Sequence, residues 1–353
     1  MRKKDSEFKG HTIKQRSECM KKLLEPFSIK GTTFNNRVVM PPMATSKSSV
    51  EGRVTDSHCN YYEDRAKGGY MGLIITEHSY ITPQGKASKG QLSIAQDSDI
   101  DGLKKLVNSC QIDQTKVIAQ INHAGSGTRE DIPGFESVAP SAVINPLHNS
   151  KTKTLPKSLN DEEITLITQE FANAAVRAKL AGFDGVQIHS AHGYLLNQFY
   201  SPLTNHRTDK YGANSIENRI RFHLEVITAV RKAVGDDFII SLRFGGCDYC
   251  EGGSTIEDSV QAAKIFEQTE IDLLDISGGM CGYRILNQTG PGYFKEMTQA
   301  IKQATSIPVI LTGGIVDAKS ADQLLSENVA DLIGVGRALL KDARWAEKAC
   351  TLL

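Results

Sequence analysis

The chain has 353 residues, 40% hydrophobic and 23% charged, which allows a sizeable core and is ordinary for a soluble globular protein. Lys plus Arg and Asp plus Glu both number 41, so the formal net charge is zero, whereas a dedicated nucleic-acid binder would carry a basic excess. No run approaches the ~18 apolar residues of a membrane span, and the polar N-terminal stretch lacks the apolar core of a secretory signal.

Residues 1–22 show no apolar periodicity and are expected to form a polar extension, with a single domain over 23–353. The run 36–40 reads as a strand stopped by Pro41 and Pro42. A helical pattern over 56–67 ends at Gly68 and Gly69, and 72–76 is an apolar strand ending at Glu77 and His78. Residues 100–111 place Leu103, Leu106, Val107 and Cys110 on one helical face. The strand at 116–121 ends in Asn122, His123, Ala124 and Gly125. A long irregular loop follows over 126–158, of a length that usually covers a site.

Asn160 and Glu163 form a capping-box pattern for a helix running to Gly182. The next strand begins at Gly185 and delivers His189, His192 and Tyr194 past its carboxyl end. Four more strands (238–244, 271–276, 309–312, 331–335) alternate with helices over 215–234, 255–267, 294–304 and 319–326, and a last helix starts near Arg344. Eight short apolar strands alternating with helices predict a closed (β/α)8 TIM barrel, an α/β fold, with a doubly wound open sheet as the other architecture.

In such a barrel the active site lies at the carboxyl ends of the strands. His189, His192 and Tyr194 collect there, and two imidazoles with a phenol but no carboxylate suit binding or protonating a carbonyl oxygen. Gly313 and Gly314 after the seventh strand, with Gly336 and Arg337 after the eighth, have the chemistry of a phosphate cradle. The alternative is tight turns and an Arg337 paired with a surface acid. Gly334-Val335-Gly336-Arg337 lacks the third glycine and the later acid of a dinucleotide fingerprint, so no separate nicotinamide-binding domain is expected. His189 and His192 have no third ligand at helical spacing, and Cys247 and Cys250 have no second CxxC pair, so no metal is expected. The seven cysteines are odd in number and scattered, which suits reduced thiols and a cytoplasmic protein.

With these residues in place, the chain resembles the old yellow enzyme family, nearest its NADH:flavin oxidoreductase branch and the N-terminal barrel of 2,4-dienoyl-CoA reductases. The motifs are Asn36-Arg37-Val38-Val39-Met40-Pro41-Pro42-Met43, Gly72-Leu73-Ile74-Ile75-Thr76-Glu77, Ala119-Gln120-Ile121-Asn122-His123-Ala124-Gly125 and Ile188-His189-Ser190-Ala191-His192-Gly193-Tyr194, followed by the run 201–212 and Glu217-Asn218-Arg219. The resemblance implies FMN as cofactor, NADH or NADPH as reductant, and reduction of activated C=C bonds by a ping-pong cycle. It implies that Pro42, Met43 and Ala44 line the flavin, that Gln120 bonds its pyrimidine edge and that Arg243 approaches N1/O2. Gly313, Gly314, Gly336 and Arg337 would hold the phosphate, His189 and His192 the substrate oxygen, and Tyr194 the proton.

The chain departs from the pattern at Ala44, where many relatives carry Cys or Thr, and in the loop 211–216, which is one residue longer than usual. It ends at Leu353, so no iron–sulphur cluster is expected, and a homo-oligomer stays open. Two competing functions are a dihydrouridine-synthase-like barrel acting on RNA and a flavin-binding protein without ene-reductase activity. Tyr194 in place of a donor cysteine and the zero net charge weigh against the first.

Overall fold

The computed structural model describes residues 22–132, 134, 136–148 and 154–353; the expected extension therefore lies outside the described residues up to residue 21. Two short strands, β1 (Phe27–Ile29) and β2 (Thr32–Phe34), pair antiparallel as a hairpin that the sequence pattern did not signal. The barrel strands are β3 (Val38–Met40), β4 (Leu73–Ile75), β6 (Lys116–Asn122), β9 (Gly185–Ser190), β10 (Ile239–Cys247), β11 (Leu273–Gly278), β12 (Val309–Leu311) and β13 (Leu332–Gly334). Between these lie three two-residue strands, β5 (Ser79–Tyr80), β7 (Val138–Ala139) and β8 (Lys157–Ser158).

Neighbouring barrel strands are all parallel, and the ring closes because β4 pairs with both β3 and β6 while β13 pairs with β3. Closure excludes the open doubly wound sheet. The strands are buried on both faces, which is why they are short apolar runs without polar alternation.

Side chains two apart share a face of a strand. The inner face starts as an apolar layer: Val39, Leu73, Ile75, Ile118, Ile239, Leu273, Ile310 and Leu332 form one cluster with Ile29 and Phe34 of the hairpin. Several of these are the first residue of their strand, so the hairpin closes the amino-terminal mouth. Gly185 belongs to the same level, where an added Cβ would lie 2.5 Å from the Ile239 carbonyl oxygen. A larger cluster fills the space between the outer strand faces and the helices.

The helices obey their local signals. Asn160 accepts from the Glu163 N–H and Glu163 answers at the Asn160 N–H, and the helix Asp161–Ala181 stops at Gly182 with φ 93°. Two short helices were not foreseen, Leu195–Tyr200 and Arg337–Lys341. The first is buried on every side, so it carries no amphipathic pattern to detect. The expected loop 126–158 contains β7 and β8, which pair with each other.

Gly185→Ala should lower stability by about 1–3 kcal/mol through overpacking against Ile239. A urea midpoint equal to that of the parent protein would contradict this account of the inner layer.

Candidate active site

Above the apolar layer, the same alternation carries the inner face into polar residues: Gln120 on β6, Gln187 and His189 on β9, Ser241 and Arg243 on β10, and Asp275 and Ser277 on β11. Register makes direct neighbours of Gln120 and Gln187, of Gln187 and Ser241, and of Arg243 with both His189 and Asp275. Arg243 Nη1 donates to Asp275 Oδ2 at 2.7 Å, and both side chains are buried. Gln187 Nε2 donates to the same oxygen at 3.2 Å, and Gln120 Nε2 donates to Gln187 Oε1 at 2.8 Å. Burial raises the Asp275 carboxyl above its ordinary range, with Arg243 and Gln187 opposing the rise.

Beyond β9 the chain makes a left-handed turn at His192 (φ 60°) and Gly193 (φ 69°). A non-glycine residue held there costs free energy and persists only where its surroundings over-determine it. They do so here. Gly193 N–H donates to Asn197 Oδ1 at 2.8 Å, and its carbonyl accepts from Gln198 at 2.7 Å and from Asn145 at 2.8 Å. Asn197 and Gln198 come from the buried Leu195–Tyr200 helix, and Asn145 from the long loop.

The turn places the predicted trio together. The His189 ring lies 5.1 Å from Tyr194 and 5.2 Å from His192, centroid to centroid, and His192 Nε2 meets Ser277 Oγ at 2.8 Å. Two further imidazoles flank Tyr194: His78 at 5.3 Å and, from the long loop, His148 stacked at 5.6 Å. Burial, then the charge of neighbouring rings and Arg243, holds His189 well below the ordinary imidazole range. His192 is shifted the same way, by burial first and then by Arg243. Burial and a weaker opposing pull from Glu77 leave His78 at about 4, and burial pushes the Tyr194 phenol up to about 12. At neutral pH His78, His189 and His192 are therefore uncharged and the Tyr194 phenol is protonated.

After β3 come Pro42, Met43 and Ala44, the first two half-buried and Ala44 exposed. Their path is fixed at Thr45, whose N–H and hydroxyl both donate to the buried Glu77 carboxylate, at 3.0 and 2.5 Å, and His58 Nε2 meets the same carboxylate at 2.5 Å. An added Cβ on Gly336 would lie 3.4 Å from Met43 Sδ, so the ends of β3 and β13 meet. Gly313 (φ 107°) and Gly314 (φ 71°) lie under the Tyr293 ring, where a Cβ on Gly313 would come within 2.7 Å of it. Arg337 is exposed and pairs with no carboxylate among the described residues, unlike the surface ion pair expected of a purely structural turn. Its charge reaches Tyr293.

A model of the NADH:flavin oxidoreductase / NADH oxidase family matches residues 22–352. The chain belongs to this family. It is an oxidoreductase with FMN as cofactor and NADH or NADPH as reductant, and the resemblance to old yellow enzymes holds. It is 40% identical over 322 residues to an NADPH dehydrogenase of Clostridium acetobutylicum, covering 91% of this chain and 92% of that one. It is also 40% identical over 329 residues to an NADH oxidase of Thermoanaerobacter brockii, covering 91% of this chain but only 49% of the oxidase, so it spans about half that protein's length. Among solved structures, an old yellow enzyme homologue from Zymomonas mobilis superposes with a TM-score of 0.80 at 27% identity over 93% of each chain. A 2-naphthoyl-CoA reductase in complex with 2-naphthoyl-CoA gives 0.87 at 29% identity, over 94% of this chain and 52% of the reductase.

For a family member, the site contains more than the sequence pattern marked. Asp275 and Gln187 were visible as lone polar residues inside apolar strands, a signal that could have been used. His148 carried none, since only the folding of the long loop brings it onto Tyr194. Among the described residues, no cluster of three or more His, Cys, Asp or Glu side chains has metal-ligating geometry, and no helix is long and apolar enough to cross a membrane.

The imidazole resonances of His78, His189 and His192 should stay at their neutral positions as pH falls from 8 to about 5, because His78 titrates near 4 and the other two are held well below their ordinary range. A mid-point near 6.5 for any of the three, seen by NMR, would contradict the burial that the geometry shows.

Proposed function

We propose that this family member reduces activated C=C bonds, in α,β-unsaturated carbonyl or nitro compounds, with electrons from NADH or NADPH. The observation that carries the proposal is the group of neutral His189 and His192 with protonated Tyr194, anchored in register to Arg243. Names among the structural neighbours, 2-naphthoyl-CoA reductase and morphinone reductase, support a reductase of unsaturated substrates.

The residues present fit FMN. Arg243 Nε and Asp275 Oδ1 are buried without a partner, and the exposed Arg337 follows directly on Gly336 at the end of β13. Gly313, Gly314, Gly336 and Arg337 would hold the phosphate, Gln120 and Arg243 the pyrimidine edge, and Pro42, Met43 and Ala44 the dimethylbenzene and N5 side. When bound, FMN supplies the chemistry of accepting a hydride from the nicotinamide and passing it to the substrate's β-carbon.

The chain's own residues do the rest. His189 and His192 each donate an N–H to the substrate oxygen, and their low basicity keeps them as hydrogen-bond donors that stay uncharged. Polarising that oxygen draws electron density from the β-carbon. Tyr194 keeps its proton at neutral pH because its phenol is pushed up to about 12, and it hands that proton to the α-carbon as negative charge builds there. The nicotinamide and the substrate use the same pocket in turn.

Tyr194→Phe should leave flavin reduction by NADH or NADPH unchanged and slow reduction of a simple enone about a hundredfold or more. Stopped-flow traces showing equal slowing of both half-reactions would remove Tyr194 from the donor role. His189→Ala should weaken phenol-type ligands roughly tenfold, the worth of one hydrogen bond to a charged oxygen. Unchanged affinity in a spectral titration would contradict the oxyanion role.

A further inference from the structure

One carboxylate at the site has no part in the steps above. Asp275 is fully buried, with Oδ2 accepting from Arg243 Nη1 at 2.7 Å and from Gln187 Nε2 at 3.2 Å, while Oδ1 has no partner. An ionised carboxylate can only accept. Gln187 must therefore present its NH2 to Asp275, and Ser241 Oγ accepts from the same nitrogen at 3.2 Å. That turns the Gln187 carbonyl oxygen toward β6, where Gln120 Nε2 donates to it at 2.8 Å. The polarity of the Gln120 amide follows: its NH2 is engaged inside the barrel, and its carbonyl oxygen is left to accept. The chain Asp275–Gln187–Gln120 and the pair Asp275–Arg243 start from one oxygen atom.

We propose that Asp275 is a positioning residue that fixes both groups meeting the flavin's pyrimidine edge, the Arg243 guanidinium and the Gln120 carbonyl, and so sets the reduction potential of bound FMN. The proposal rests on the cofactor placement given under Proposed function. Oxidised FMN carries an imide N–H that the Gln120 oxygen can accept. Reduced FMN, after taking two electrons and one proton as a hydride from NADH or NADPH, carries negative charge on the same edge. An unopposed Arg243 would stabilise that anion and make the flavin a weak hydride donor. A buried carboxylate against the guanidinium offsets much of this in a medium of low dielectric constant. Asp275 thus holds the potential down while keeping the guanidinium in place.

The test uses the holoenzyme and the apoprotein. Asp275→Asn should raise the ratio of reduced to oxidised FMN affinity at least tenfold, read as a midpoint potential about 30 mV higher by equilibration with reference dyes. Asp275→Glu, which keeps the charge, should return most of the way to the parent value. Gln187→Met removes the link to Gln120 together with the Gln187 bonds to Asp275 and Ser241, and leaves the Asp275–Arg243 pair in place. It should weaken oxidised FMN roughly tenfold, measured by flavin fluorescence on adding FMN to the apoprotein, with a smaller shift in potential. It also keeps the inference testable if Asp275→Asn does not fold. A flavin-loaded Asp275→Asn protein with the parent potential, or a Gln187→Met protein with the parent FMN affinity, would overturn the proposal and leave the cofactor placement standing. A parent protein that takes up no FMN would overturn both.

Discussion

Closure of the parallel ring is the constraint on which everything else in this protein depends. Because β4 bonds to both β3 and β6, none of the eight barrel strands has a free edge, and their inner faces are turned toward one another. Such a space must be filled with side chains, and the chain fills it in layers. At the amino end the layer is apolar and shut by the Phe27–Phe34 hairpin. Two to four residues higher along the same faces it becomes Gln120, Gln187, Ser241, Arg243 and Asp275. Period-two alternation alone carries one layer into the other.

The electrostatics follow from that enclosure. Charges and rings placed at the top of a sealed barrel lose water, and the loss pulls His78, His189 and His192 down and pushes Tyr194 up. The result is a set of neutral donors, suited to an oxygen that gains charge during reaction. The buried charge of Arg243 is tolerated because Asp275 meets it within the same layer. The strained His192–Gly193 turn is tolerated for a similar reason. Three side-chain amides hold Gly193 from two directions, so relaxing the turn would strand buried donors.

Much of this was legible before folding. The capping box at Asn160, the stop at Gly182 and the apolar strands at 73–75 and 309–311 are local signals, and the structure keeps them within a residue or two. The trio His189, His192 and Tyr194 was legible because it clusters at the carboxyl end of a strand, His189 still within β9 and the other two just past it. The Leu195–Tyr200 helix was not, since complete burial erases the polar face by which a helix is recognised. The Arg337–Lys341 helix is only five residues long, too short for periodicity to show.

What the sequence determined by itself was the order of elements, the positions of chemistry at strand ends, and through its motifs the flavin oxidoreductase family. These depend on residues close together along the chain. Only the tertiary structure decided that His148, 46 residues before Tyr194, stacks on its ring, that Gln120, Gln187 and Asp275 form one chain of hydrogen bonds, and that Asp275 opposes Arg243. The first contact depends on how the long loop folds; the others depend on strand register, and register is set by the closure of the whole ring, which no stretch of sequence contains.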